Sequence, residues 1–188
     1  MAIVETIRNR RSIYDFKSEP IPKDVIEQFL EPAVWAPNHK LTEPWRFLVI
    51  EGQTKETLAH IYCKIQRIKT KSKNPDILEK ATKKGYAKLM GKPTILGVVC
   101  KKDQDAIRAR EDYASACCAI HNISLAAWEM GIGMQWSTSE LINDPESLEL
   151  LQINSAEEEI IGFLYTGYPA EIPEQKRVPA SDRTVWFD

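Results

Sequence analysis

Apolar residues recur at helical spacing in several stretches of the chain, and shorter apolar runs have the composition of strands. The helical period predicts helices over 2–11, 23–36, 54–65 and 108–130, and a partly helical stretch at 66–92. β-branched and aromatic residues predict strands over 45–50, 94–100 and 159–166, and a short strand or extended turn over 134–137. The elements do not alternate as regular β-α-β units. We therefore predict an α+β fold with one mainly antiparallel sheet flanked by helices.

Local signals give boundaries for several of these elements. Thr54 is predicted to cap the third helix, and Asp144 is predicted to cap a helix with Pro145 at its first position. Pro32 should bend the second helix or remove one of its hydrogen bonds, and Gly131 should end the longest helix. Residues 184–187 are predicted to be extended and could add to another element.

Composition indicates a globular protein. The chain has 188 residues, of which 43% are hydrophobic and 28% charged, and we predict a single domain over 1–188. No apolar run approaches the ~20 residues of a membrane span. Residues 1–20 lack the apolar core of a secretory signal, so we expect a cytoplasmic protein without a membrane partner.

Cysteine and histidine spacing does not indicate a metal site. There is no Cys-x-x-Cys pair, and the three histidines do not form the His-x₃₋₅-His pair that completes a zinc-finger pattern. We predict no bound metal and reduced thiols at all four cysteines, which are Cys63, Cys100, Cys117 and Cys118.

Positive charge is concentrated in one stretch, although the net charge is only −2. Nine lysines and one arginine lie between Lys64 and Lys92, against Asp76 and Glu79. This pattern is compatible with a nucleic-acid surface or with a solvated helical excursion. The second interpretation is favoured, and no nucleic-acid partner is expected, because aromatic residues are not interleaved with the lysines.

Three short clusters are candidates for chemistry. In Arg10-Arg11-Ser12, two guanidinium groups and a hydroxyl could anchor an anion or a phosphate, or could form a solvated basic helix end. The second cluster runs from Trp35 to Lys40 and leads to 44–47, and the third is Gln135-Trp136-Ser137. Their tryptophans could equally be core residues, and His39 a polar loop residue. The acidic residues of 103–112 fit a charged turn and a helix start better than carboxylate catalysis.

Taken together and in order, the clusters resemble the motifs of the nitroreductase family of flavin enzymes. The resemblance covers nearly the whole chain. It rests on Arg-Arg-Ser-x-x-x-Phe at 10–16, on Ala-Pro at 36–37 before Pro-Trp-Arg-Phe at 44–47, on Gly-Ile-Gly at 131–133 before Trp136, and on 162–169, which ends in Gly-Tyr-Pro. Ala-Pro-Asn-His-Lys at 36–40 is similar to the compact branch of the family, which has Ala-Pro-x-His-Lys.

The resemblance implies an intertwined homodimer with one FMN per subunit at the interface. It implies ping-pong chemistry, in which NAD(P)H reduces FMN at N5 and the flavin then reduces a small acceptor such as a nitroaromatic or a quinone. The cofactor carries this chemistry, so no acid–base triad is expected.

The resemblance also assigns roles to residues. Arg10, Arg11 and Ser12 would bind the phosphate, ribityl or pyrimidine parts of FMN, and Arg177 would join the phosphate. Trp35 and His39 would reach FMN from the partner subunit. The third cluster, Gln135, Trp136 and Ser137, would lie along the flavin ring, partly through backbone groups.

Three positions depart from the family pattern. The usual Lys or Arg two residues after Ser12 is Tyr14, the usual Asn before the Pro-Trp pair is Leu41, and the usual Gln before Pro44 is Glu43. The missing cation would stabilise charge on the reduced flavin. FMN binding is therefore indicated more strongly than any one substrate. A non-catalytic module that binds or sequesters flavin on the same fold is the alternative.

Overall fold

One antiparallel sheet forms the centre of the molecule. The structure is a computed structural model that describes residues 3–187. The strands are β1 (Trp45–Ile50), β2 (Thr94–Lys101), β3 (Gly133–Ser137) and β4 (Glu158–Gly167). They pair in the order β1-β2-β4-β3, and every neighbouring pair is antiparallel. The predicted fold class and the three predicted strands are confirmed, and the stretch predicted as a short strand or an extended turn is strand β3.

Helices cover both faces of this sheet. They are α1 (Ile3–Asn9), α2 (Lys23–Leu30), α3 (Gly52–Lys69), α4 (Pro75–Met90), α5 (Ala106–Glu129) and α6 (Pro145–Leu150). Leu96 of β2 packs with α2 and α5, whereas its neighbour Ile95 packs with Leu58 of α3 and Leu89 of α4. Alternate side chains of β2 thus enter opposite cores, as its continuous apolar run predicts.

The second helix is shorter than predicted. It ends at Leu30 and continues as a 3₁₀ turn over Glu31–Trp35, which contains Pro32. Proline has no N–H to donate to the carbonyl four residues earlier, so the α-helical ladder stops there. The first helix also ends early, at Asn9, and Arg10 and Arg11 lie beyond it. Residue 2, at which this helix is predicted to begin, lies outside the described residues.

The predicted Thr54 cap is wrong. The chain turns directly after β1 at Gly52, whose φ of +54° lies in the left-handed region that glycine tolerates best. The helix therefore starts two residues early, and Thr54 lies in its first turn. Asp105, which the pattern did not assign, caps α5 by accepting from the N–H groups of Ile107 and Arg108. The predicted Asp144 cap is confirmed, because its side chain accepts from the Ser147 N–H.

The lysine-rich stretch forms the end of α3, a turn and α4, so its predicted helical content is confirmed. Several of its lysines pair with acids: Lys64 with Glu146, Lys69 with Glu140 and Lys83 with Glu79.

The C-terminal tail forms a 3₁₀ turn at Ala180–Arg183. Beyond that turn, residues 184–187 pair with no strand in the described part of the chain. No helix within residues 3–187 is long and apolar enough to cross a bilayer.

Candidate functional site

The Arg-Arg-Ser segment lies against strand β3, which joins two of the three predicted clusters. Ser12 forms a parallel bridge with Met134, and the Ile13 N–H donates to the Met134 carbonyl at 3.0 Å. Gly133 makes this approach possible, because a Cβ atom there would lie 2.9 Å from the Cβ of Ile13 and closer still to its Cγ1. The first and third clusters are therefore neighbours in the fold, although about 120 residues separate them.

Beyond this bridge, the outer edge of β3 is open. Strand β4 occupies the inner edge, and within residues 3–187 no further strand pairs with the outer one. The Met134 carbonyl points outward, toward Ile13. Along a strand, the backbone N–H and C=O groups of successive residues point alternately to one edge and to the other. The backbone of Trp136, two residues on, therefore also faces outward. Gln135 and Ser137 are half-buried and point to the opposite face of the sheet from Trp136.

The Trp136 side chain is held in place at the other end of the same strand. Its indole N–H donates to the Ile161 carbonyl at 3.2 Å, and its ring lies on Gly162. A Cβ atom at Gly162 would lie 2.5 Å from the indole Cδ1, so only glycine fits under this ring. With 41% of its surface exposed, Trp136 is a fixed aromatic residue that remains open to a ligand.

We predict that Gly162→Ala destabilises the fold by about 1–3 kcal/mol, the usual cost of overpacking a filled site. The added methyl group would displace the indole and break its bond to Ile161. Thermal unfolding gives the loss of stability, and near-UV circular dichroism reports the altered tryptophan. Gly85→Ala is the control, since its Cβ would lie 3.3 Å from the flexible side chain of Gln66 and in ordinary contact with Tyr62 at 3.6 Å, inside a helix that favours alanine. Equal stability of the two variants would contradict the assigned role of Gly162.

A strongly basic cavity of about 430 Å³ lies between α1, α5 and the C-terminal tail. We call it the arginine cavity, and it is lined by Ile7, Arg8, Arg10, Arg11, His121, Gln175 and Arg177. Within the described residues, no carboxylate lines it. Arginine is the side chain best suited to bidentate recognition of phosphate, so the cavity has the composition of an anion site.

Arg10 is the central cation of this cavity. Partial burial, followed by the charges of Arg177 and Arg11, lowers the pKa of Arg10. Its Nε is buried and has no hydrogen-bond partner within residues 3–187. Buried donors of this kind are rare in proteins, so an anion supplied from outside the chain would satisfy Arg10.

Arg11 and Arg177 differ in how free they are to bind an anion. The Arg11 guanidinium donates to the carbonyl oxygens of Arg8 and Arg10, at 2.6 and 2.9 Å, and so stabilises the turn after α1. Arg177 is exposed, and its guanidinium makes one long hydrogen bond of 3.4 Å to the Lys176 carbonyl. Arg10 and Arg177 are therefore the stronger candidates for anion contacts.

The second predicted cluster does not join the arginine cavity within one chain. His39 Nδ1 lies 2.7 Å from Glu111 Oε2, near the start of α5, and the Trp35 indole donates to Glu31. His121, which lines the arginine cavity, lies ten residues after Glu111 on α5, which corresponds to about 15 Å along the helix axis. A single chain thus holds His39 apart from the arginine cavity, and Trp35 is not among the residues that line this cavity.

The loop that carries His39 has an unusual backbone. Lys40, Leu41 and Glu43 all have positive φ, and the loop is tied to α5 by a 2.6 Å hydrogen bond from Thr42 to the buried Asp112. Leu41 and Glu43, two of the three departures from the family pattern, therefore lie at strained backbone positions. The asparagine that is usual in place of Leu41 tolerates a positive φ better than leucine does.

Sequence reasoning missed Lys92, which fastens the other end of the Arg-Arg-Ser segment. Its ammonium donates to the Tyr14 carbonyl at 2.7 Å and lies 4.9 Å from the centre of the Phe16 ring. Lys92 is only 9% exposed, and burial lowers its pKa. It belongs to the lysine-rich stretch, where no local signal distinguishes it from the solvated lysines.

Known proteins share the sequence pattern and the fold of this chain. The family model for the nitroreductase family matches residues 7–168. The Bacillus subtilis protein YfhC, provisionally named an NAD(P)H nitroreductase, is 37% identical over 181 residues, which cover 95% of this chain and 91% of YfhC.

Solved structures show the same fold. The crystal structure of a nitroreductase-like family protein from Bacillus cereus is 28% identical with a TM-score of 0.86, and the match covers 100% of this chain and 97% of the other. A Bacteroides fragilis nitroreductase crystallised with bound FMN is 25% identical with a TM-score of 0.75, and the match covers both chains fully. The resemblance of the motifs is thereby confirmed, and the chain belongs to the nitroreductase family.

Proposed function

We propose that this protein is an FMN-dependent NAD(P)H oxidoreductase that transfers hydride to a small acceptor by a ping-pong mechanism. The observation that carries the proposal is the arginine cavity, where the buried Nε of Arg10 lacks a partner within residues 3–187. Two residues farther on, Ser12 bridges to β3, whose outer edge is open. Family membership and the FMN bound by the Bacteroides fragilis relative support the choice of cofactor.

The residues of the site fit FMN. The cofactor carries a phosphate at one end, which the guanidinium groups of Arg10 and Arg177 can bind as charge-assisted pairs. It carries a flat aromatic ring at the other end, and the open edge of β3 offers the Trp136 indole and backbone polar groups. Ser12 lies between these two regions, at its bridge to Met134. When bound, FMN would supply the hydride chemistry between NAD(P)H and the acceptor, with its N5 as the reactive atom.

We further propose that residues 1–188 form one domain and that two copies assemble as a homodimer. A homodimer is supported by the separation of the predicted site residues, since His39 lies far from the arginine cavity in one chain and Trp35 does not line it. Trp35 is 77% exposed, which is unusual for a tryptophan without a partner surface. In the dimer, Trp35 and His39 would complete the cofactor site of the partner subunit.

A flavin-sequestering module without turnover is the second candidate, and Tyr14 favours it. The family cation is absent at this position, and the nearby Lys92 ammonium is bonded to the Tyr14 carbonyl inside the core. Lys92 is therefore not free to replace the missing cation. Without such a cation, negative charge on the reduced flavin is less stabilised.

Steady-state kinetics with a quinone or a nitroaromatic acceptor separates the two candidates. An oxidoreductase with ping-pong kinetics gives parallel lines in double-reciprocal plots as the acceptor concentration is varied. A protein that retains FMN yet turns over neither acceptor with NADH or NADPH would be the sequestering module. Intersecting lines would contradict the ping-pong mechanism. The nature of the acceptor and a cytoplasmic location stay predictions.

A further inference from the structure

His121 lies in the wall of the arginine cavity, on a part of α5 to which neither the sequence motifs nor the proposed function gives a role. We propose that His121 takes up a proton when the FMN phosphate enters this cavity, and that it then binds the phosphate as an imidazolium. The proposal deepens the function proposed above and rests on it.

The geometry that supports this proposal is a convergence of cations from three segments. Arg8 comes from α1, Arg10 and Arg11 from the segment after it, and Arg177 from the tail. His121 is the only lining residue contributed by α5 among those described, and it faces these arginines across the cavity. An anion held by the arginines would therefore lie within reach of the imidazole.

Few other ionisable groups act on His121. The residues one helical turn away on α5 are Cys117, Cys118, Ser124 and Leu125, and none is acidic. Glu174 lines a neighbouring surface pocket with Arg11 and Lys176, not the arginine cavity. Glu129, two turns along α5, hydrogen-bonds with Thr6 of α1.

Electrostatics then gives the direction of the proton transfer. Partial burial and the charge of Arg10 lower the pKa of His121, so the imidazole is neutral at pH 7 while no anion is bound. A phosphate monoester carries roughly −1.5 to −2 charges at pH 7, and an opposite charge nearby raises a histidine pKa. Binding should therefore draw a proton from solvent onto the ring. FMN affinity should rise as pH falls through the pKa that His121 has in the complex.

The phosphate has its own titration near pH 6, so the test compares proteins at the same pH. FMN is titrated calorimetrically into the full-length apoprotein at pH 7, in buffers of different ionisation enthalpy, which gives the protons taken up per site. Wild type should take up more protons than His121→Gln, which keeps a hydrogen-bond donor but cannot titrate. His60→Gln, an exposed histidine on α3, is the matched control and should behave as wild type. Riboflavin lacks the phosphate and should show no difference between wild type and His121→Gln.

The affinities should follow the same pattern. At pH 6 we expect FMN to bind His121→Gln roughly tenfold more weakly than wild type, the size expected for one charge-assisted hydrogen bond. At pH 8 the two proteins should bind FMN almost equally. If His121→Gln does not fold, an NMR titration of wild-type His121 gives the same information, because its pKa should be higher with FMN than without.

The possible failures can be told apart. Equal proton uptake by wild type and His121→Gln, or a His121 pKa unchanged by FMN, would overturn the inference and leave FMN binding intact. Wild-type apoprotein that binds no FMN would overturn both the inference and the proposed function.

Discussion

Replacing Arg10 with alanine is expected to weaken FMN binding roughly 10- to 100-fold, because a hydrogen bond to a charged group contributes about 1.5–3 kcal/mol. The guanidinium of Arg10 is half-buried, and its Nε has no partner within residues 3–187. It is therefore held in place with an unsatisfied donor before any ligand arrives. The cost of ordering this side chain is met on folding, so its contact with a phosphate should contribute fully to affinity.

Fluorescence titration of the apoprotein with FMN measures this loss. Arg10→Lys should fall between wild type and Arg10→Ala, because lysine keeps the charge but lacks the planar fork that matches two phosphate oxygens. Arg67→Ala removes an exposed arginine from α3 and should leave the affinity unchanged. Riboflavin affinity should change little in all three variants, since the phosphate is missing. An Arg10→Ala protein that binds FMN as tightly as wild type would refute the assignment.

The double variant Trp186→Ser/Phe187→Ser is expected to dissociate the proposed homodimer and, with it, to release FMN. Trp186 and Phe187 are 86% and 92% exposed at the end of a tail that no strand in the described chain holds. Complete burial of one such side chain contributes about 1.5–3 kcal/mol. A symmetric dimer would bury four, or roughly 6–12 kcal/mol in total, which is comparable to the entropic cost of association.

A surface that could receive this tail lies along α1 and α5. A groove of about 360 Å³ runs between α1, the turn at Pro32 and α5, and apolar side chains such as Ile3 and Leu125 line much of it. Ile3 is 64% exposed, and Val4 and Ile7 of the same helix are also exposed, so α1 presents an apolar surface of the kind that partners cover.

Sedimentation velocity and the flavin content of the purified protein measure the effect of the double variant. Ile68→Ser is the control, since Ile68 is also largely exposed but lies at the far end of α3. A double variant that remains dimeric would place the tail outside the interface. A monomeric wild type would refute the homodimer itself.

Much of the secondary structure was predictable because its signals are local. The strand at 45–50 follows from side-chain composition alone, and the helix after Asp144 follows from a capping carboxylate and Pro145. Thr54 was a misleading local signal, since it has the chemistry of a cap but lies after the point where Gly52 already turns the chain.

The assembly of the site was not predictable from local pattern. The contact of Ile13 with Gly133 spans about 120 residues, and only the fold shows that a missing side chain at Gly133 admits the Arg-Arg-Ser segment. Lys92 and His121 illustrate the same limit. A lysine in a basic stretch and a histidine on a mixed helix are assumed to be solvated until the packing shows what surrounds them.

The visible absorption spectrum of the purified protein, recorded before and after anaerobic addition of NADH or NADPH, tests the central claim most directly. The proposed function predicts the yellow absorption of oxidised flavin near one FMN per chain, its bleaching by at least one of the two nucleotides, and its return when air or a quinone is admitted. A colourless protein that binds no added FMN would contradict the account.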